Sequence, residues 1–264
     1  NPLIVHVGSV NQLRLIVKTI PEKAEILLNK FTPGPLTILL PKNNLIPDIV
    51  TAGLPDVAIR IPAHPLTLSL LNQLNFPLAA PSANPFGYIS PTTAQHVENM
   101  LNGKIPYVLD GGPSKAGIES TIIGFKNGSV IIYRQGIITK EQMEEVVGSV
   151  EINEQKKIVS PGMMDSHYSP HTPLILTDDI NGTIKGLDAN KIGLITYNEY
   201  SHLLPQNQQI LLFTSDNLVL AAQNLYTSLH EMDRRGCQYI VVKKLPEKGI
   251  GIAINDRLYR ASQK

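Results

Sequence analysis

The chain has 264 residues, of which 42% are apolar and 17% charged; 23 Lys and Arg against 22 Asp and Glu leave a formal net charge of +1. This balance excludes intrinsic disorder and a global basic field, so any nucleic-acid contact has to be local. The single cysteine, Cys237, cannot close an internal disulfide and points to a reducing compartment, and no apolar run reaches the length of about 18 residues that a membrane-spanning helix needs.

The length suits one large or two modest domains. The chain opens on a strand-like run, Leu3–Val7, with no signal peptide ahead of it. Residues 9–30 read as helix: Ser9 with Gln12 forms a capping-box pattern, and Pro21 opens a second helix. Prolines and a glycine in Phe31-Thr-Pro-Gly-Pro35 forbid regular helix, and the runs 36–40 and 57–61 read as strands. Pro65–Leu74 puts Leu66, Leu70, Leu71 and Leu74 on one helical face. Pro77–Pro81 is short and apolar. Ser90-Pro91 predicts a helix start, with an end at Gly103, and Tyr107–Leu109 predicts a strand. Asn127-Gly128 between the apolar runs 120–125 and 129–134 predicts a hairpin. Thr139 with Gln142 caps a further helix that stops at Gly148.

Residues 149–173 are polar and proline-rich and read as a long linker. Beyond it, the runs 174–176, 192–196, 210–213 and 239–242 are strands, and residues 217–234 carry apolar side chains at helical spacing. The reading is therefore α/β: a mixed-sheet domain over 1–148, a linker or lid over 149–173, and a small Rossmann-like domain over 174–264.

Strong chemical motifs are few. There is no phosphate-binding loop, no paired C-x-x-C, no H-E-x-x-H and no G-x-S-x-G elbow. Gly249-x-Gly251 begins like a dinucleotide fingerprint but lacks its third glycine and reads as a turn or helix start. Pro170 between His167 and His171 forbids a helical metal pair. Pro81-Ser82-Ala83-Asn84 follows an apolar strand, where small polar groups and backbone amides suit a phosphate or carboxylate. Gly117-Ile-Glu-Ser120-Thr121 is a similar glycine-then-hydroxyl entry to a strand. Arg60 lies inside an apolar strand and needs an anionic partner, either a ligand carboxylate or a structural acid. Arg134 ends a hairpin strand and is either a surface residue or an anion clamp.

Together, Lys30-Phe-Thr-Pro-Gly-Pro-Leu-Thr37, Val57-Ala-Ile-Arg-Ile-Pro62, Pro77-Leu-Ala-Ala-Pro-Ser-Ala-Asn84, Glu119-Ser-Thr-Ile122 and Tyr133-Arg-Gln-Gly136 resemble the threonylcarbamoyl-AMP synthase family, the YrdC-like proteins. The opening Asn1-Pro-Leu-Ile-Val-His6 also matches. The linker Ser160-Pro-Gly-Met through His167-Tyr168-Ser-Pro170 and the tail Gly249–Ala261 resemble the long two-domain members. The family's Lys-x-Arg-Pro stretch before Asn-Pro-Leu, and its Thr-x-Thr-x-Tyr-Gly segment further upstream, are not in this sequence. The chain thus reads as a member lacking its first several dozen residues.

The resemblance implies a YrdC-like twisted sheet and a reaction of L-threonine, bicarbonate and ATP with Mg²⁺. The products would be threonylcarbamoyl-AMP, for the tRNA threonylcarbamoyl-transfer machinery, and pyrophosphate. Such chemistry needs positioning and charge neutralisation and no covalent nucleophile. Position by position, His6, Arg60, Ala80 and Ser120 are expected at threonine, with Arg60 on its carboxylate and Ala80 acting by its backbone. Asn1, Asp56, Ser82, Ser90, Arg134 and Tyr168 are expected at ATP, Asp56 through its main chain and Tyr168 as part of the lid. No protein-held metal, no membrane and a cytoplasmic location are expected, with weak RNA binding as a further partner. The alternatives are a non-catalytic double-stranded RNA-binding module and another carbamoyl transferase of the same fold.

Overall fold

The computed structural model describes residues 1–153, 167–197, 199–213 and 217–263. In chain order the elements are β1 (Ile4–His6), α1 (Val10–Ile16), α2 (Glu22–Phe31), β2 (Leu36–Pro41), α3 (Asp48–Thr51), β3 (Asp56–Arg60), α4 (Pro65–Gln73) and β4 (Leu78–Ala80). They continue with α5 (Ala94–Leu101), β5 (Thr121–Lys126), β6 (Ser129–Arg134), α6 (Lys140–Val147), β7 (Val150–Ile152), β8 (Leu174–Thr177), α7 (Ile180–Lys185) and β9 (Ile192–Thr196). The last are β10 (Gln209–Leu211), α8 (Leu218–Arg234), β11 (Tyr239–Lys243) and α9 (Ile250–Ala261). Contacts gather the chain into two units: Asn1–Pro81 with the described part of Glu119–Met164, and Ser82–Ile118 with the described part of Asp165–Lys264.

The first unit is built on a seven-stranded mixed sheet in the order β4-β1-β3-β2-β5-β6-β7. Strand alternation sends Val5, Val57, Ile59, Ile38, Leu40, Ile123, Val130 and Ile132 to one face. There they pack with Leu13 and Ile16 of α1, Leu27 and Leu28 of α2, and Met143 of α6. The opposite face carries a smaller cluster of Ile4, Leu39, Ala58 and Ile122, with Tyr133 against it. Both faces are therefore covered around β2, which reads as one apolar run for that reason.

Local signals fix several elements. The Ser9 hydroxyl accepts from Gln12 N (3.3 Å), while the Gln12 side chain takes Gly8 N (2.6 Å). Asn127 and Gly128 both have positive φ, 52° and 79°, as a two-residue type I′ turn requires. Thr139 and Gln142 close a complete capping box on α6, a device that contributes about 1 kcal/mol.

Four expectations are corrected. The fifth helix starts at Ala94, not at Ser90-Pro91: Thr93 is the cap, its hydroxyl accepting from His96 N (3.2 Å), while Ser90 is buried with its carbonyl against His230 (3.2 Å). Tyr107–Leu109 is not a strand; it pairs with no neighbour among the described residues, and Tyr107 and Leu109 stay exposed. Polar Glu151 does not begin a linker, because Val150–Ile152 adds to β6 as a parallel edge strand and buries only Val150. In α4 only Leu71 is buried, with Leu66 and Leu70 turned to solvent. Of the proposed linker, residues 154–166 lie outside the described residues.

The second unit holds a four-stranded parallel sheet, β10-β9-β11-β8, the arrangement expected for the small Rossmann-like part. Helix α8 buries Ala221, Ala222, Leu225, Leu229 and Met232, as its 3.6-residue spacing requires. Gly249 caps α9 at φ 50°, so Gly249-x-Gly251 is a helix start. Residues 82–118, counted with the first domain in the sequence reading, bond within this unit. Tyr88 Oη donates to Asp233 (2.7 Å), Thr92 and Thr227 hydroxyls lie 3.0 Å apart, and Gln223 Nε2 donates to Lys115 O (2.6 Å). No helix among the described residues is long and apolar enough to cross a membrane.

Candidate active site

Register assembles the site in the first unit. His6 on β1 lies opposite Arg60 on β3, Arg60 opposite Thr37 on β2, Thr37 opposite Ile122 on β5, and Ile122 opposite Arg134 on β6. Residues directly opposite in a sheet point to the same face. One transverse row at one end of the sheet therefore presents an imidazole, two guanidiniums and a hydroxyl. From β3 to β6 is three strand spacings, about 14 Å, which two long side chains reach across from either side. A β-bulge between Ile122 and Ile123 sets Arg134, rather than Tyr133, opposite Ile122.

Ser120 precedes β5 beside this row. Arg134 Nε and Nη2 donate to Ser120 O (3.1 and 3.0 Å), Nη2 also donates to Ser120 Oγ (3.0 Å), and Ser120 Oγ lies 2.8 Å from Thr37 Oγ1. The Ser120 backbone is held close by the chain behind it. A Cβ on Gly136 would come 2.5 Å from both Glu119 O and Thr121 N, so that position excludes any larger residue.

The electrostatics favour an anion. Arg60 Nε donates to the neutral Gly34 carbonyl (3.1 Å), and Arg60 makes no ion pair among the described residues. Burial first, and then the like charge of Arg134, lower its guanidinium to about 10. Burial and the Arg60 charge likewise hold His6 below the usual imidazole range, so it is neutral near pH 7. The structural-acid alternative for Arg60 is therefore not what the described residues contain. The plain-surface alternative for Arg134 is also excluded, since that side chain is buried.

Three further candidates belong to the first unit but not to the row. Ala80 ends β4 and is paired with Ile4, two residues before His6. Asn1 is exposed ahead of β1. Asp56 starts β3, four residues and about 13 Å from Arg60; loss of water around it raises its carboxyl, and its charge acts on the Tyr133 phenol. Ser82, Ser90 and Tyr168 belong to the second unit. Ser82 is exposed, Ser90 buried, and Tyr168 is 1% exposed, stacked on Tyr226 (5.7 Å) with Arg257 over its ring (5.4 Å). In the sequence Thr37 stands in a strand and closes the Lys30–Thr37 motif; its place in the row depends on pairing with distant residues, which neither signal reveals.

A mixed α/β sheet that brings two arginines and two hydroxyls together at one end has the chemistry of a site for a small anion. The chain belongs to the Sua5/YciO/YrdC family: residues 1–136 match Sua5_yciO_yrdC, described as "Telomere recombination", and residues 138–263 match Sua5_C, described as "Threonylcarbamoyl-AMP synthase, C-terminal domain". It is 37% identical to the threonylcarbamoyl-AMP synthase of Pyrococcus abyssi, over 99% of this chain and 80% of that protein. It is also 37% identical to the Bacillus subtilis protein of the same name, over 99% and 79%. A crystal structure of P. abyssi Sua5 complexed with L-threonine superposes with a TM-score of 0.89, covering 99% of this chain and 80% of that one.

Proposed function

We propose that this chain is an L-threonylcarbamoyladenylate synthase, a nucleotidyltransferase that makes threonylcarbamoyl-AMP and pyrophosphate from L-threonine, bicarbonate and ATP for tRNA modification. The observation that carries the reading is Arg60, a desolvated guanidinium without an acid partner among the described residues, in register with His6 and Thr37 and under the charge of Arg134. Full-length relatives carrying the synthase name, and a threonine complex among them, support it.

In this reading the threonine amine and bicarbonate give the N-carboxylate with loss of water. A carbamate oxygen then forms a bond to the α-phosphorus of ATP as the bond to pyrophosphate breaks. Arg60 holds the threonine carboxylate, bidentately where the fork geometry allows. Neutral His6, Ser120 and the Ala80 backbone complete the amino-acid pocket without adding charge. Arg134 offsets phosphate charge, the effect on which such a transfer depends most. Asn1, Asp56, Ser82, Ser90 and Tyr168 are assigned to ATP by family resemblance, with Tyr168 in a covering segment that excludes water. Mg²⁺ would travel with the triphosphate. An ion carried in this way is bound mainly by phosphate and water. The free thiol of Cys237 fits a cytoplasmic location.

The RNA-binding module is not favoured. Its adjacent basic pairs are already engaged: Arg234 and Arg235 pair with Glu231, Lys244 with Asp178 and Glu247, and Lys243 lies over the Tyr197 ring. The test is pyrophosphate release from ATP by the full chain. Release that needs both L-threonine and bicarbonate is expected; equal release without threonine overturns the assignment.

A further inference from the structure

Thr37 is fully enclosed, with 0% exposure, and its hydroxyl has one partner among the described residues, Ser120 Oγ at 2.8 Å. Ser120 Oγ also accepts from Arg134 Nη2 at 3.0 Å. A hydroxyl has one proton and two lone pairs. Of the two hydroxyl protons in this pair, one lies in the bond between them. The other meets no acceptor among the described residues. On Thr37 that proton would lie within strand β2, which is flanked on both sides; on Ser120, itself only 2% exposed, it lies just before β5, beside the row that ends in Arg134.

We infer that Thr37 is a positioning residue that makes Ser120 an obligate donor to a carboxylate-type oxygen of the substrate. With Thr37 and Arg134 both donating to Ser120 Oγ, its two lone pairs are filled and its proton is its sole remaining capacity. Carboxylate and carbamate oxygens are acceptors only, so they complete the arrangement. A substrate group that must donate finds no lone pair at this point, and the buried polar groups are left unmatched. Thr37 thus acts on substrate through Ser120, without touching it. The inference rests on the proposed placement of the amino acid between Arg60 and Ser120.

The experiment is a double-mutant cycle on L-threonine affinity, read by calorimetry on the full chain without and with bicarbonate. Thr37→Val keeps the shape and removes the hydroxyl; it weakens binding about tenfold, the scale of one hydrogen bond to a charged group. Thr37→Ser restores affinity to within about threefold of the unsubstituted chain. In a Ser120→Ala background, Thr37→Val adds no further loss. An effect in both titrations assigns the Ser120 proton to the threonine carboxylate, and an effect only with bicarbonate assigns it to the carbamate. Unchanged affinity in Thr37→Val, failure of Thr37→Ser to restore it, or equal losses with and without Ser120 overturns the inference. If Thr37→Val does not fold, Thr37→Ala takes its place in the cycle. Absence of threonine binding by the unsubstituted chain overturns the proposed function, and this inference with it; normal binding there with an unaffected Thr37→Val overturns the inference alone.

Discussion

Arg60 has given up water, has a like charge for a neighbour, and is held by a neutral carbonyl. A guanidinium so placed gains most from a carboxylate that arrives with the ligand. Removing one partner of a desolvated charge pair costs about 2–5 kcal/mol. Arg60→Ala is therefore expected to weaken L-threonine binding about 100-fold by calorimetry, with Arg60→Lys recovering only part, since an ammonium cannot offer a fork. Retained affinity in Arg60→Ala removes the carboxylate role. This residue was legible in the sequence because a charge inside Val57–Ile61 breaks an apolar pattern. Thr37 was not, since a threonine in a strand is ordinary until its opposite numbers are known. Gly136 was legible as part of a motif, but its reason, the backbone of residues 119–121 lying behind it, is a tertiary one.

Helices α5 and α8 meet through a pair of imidazoles. His96 and His230 have ring centroids 4.1 Å apart, with Tyr88 at 5.7 Å from the His230 ring and Asp233 and Arg234 nearby on α8. Burial, and then His96, lower His230 from 6.5 to about 4; burial and Arg234 lower His96 in the same direction. Between about pH 6.5 and 4 the unfolded chain holds more protons than the folded one. The stability from keeping these rings neutral is thus complete above pH 6.5 and is lost as the pH falls toward 4. The melting temperature is expected to drop between pH 7 and pH 5, and to drop less in His230→Asn, which keeps a donor for the Ser90 carbonyl. An identical drop in the variant refutes the assignment. At this scale the sequence was most reliable where the determinant is local, as in the Asn127-Gly128 turn and the Thr139 box. It failed where partners decide: Thr93 outcompeted Ser90 as a cap, Tyr107–Leu109 found no strand to join among the described residues, and Val150–Ile152, with Glu151 at its centre, found one.

For the molecule as a whole, the arrangement of the sheet in the first unit makes substrate binding a stabilising event. A ligand held by the folded chain alone, at a hundred times its dissociation constant, adds about 2.7 kcal/mol and raises the melting temperature of a chain this long by about 5 °C. L-threonine is expected to give this shift to the unsubstituted chain, and less than about 1 °C to Arg60→Ala at the same concentration, where a site weakened 100-fold is only half filled. Equal shifts in both would locate the effect away from β3. The alternating pattern of this unit and the parallel strands of the second were readable from apolar runs. The transverse row was not, because register between strands dozens of residues apart leaves no mark on either strand alone. Arg134 shows how finely that register is set. Along an unbroken ladder it would take the parity of Val130 and Ile132, and its cation would be driven among the aliphatic side chains beneath the helices. A change that closed this bulge while keeping every residue of the hairpin would thus do more than straighten a strand: a cation that belongs to the row would be stranded among aliphatic side chains, and one lesion would strike folding and binding together.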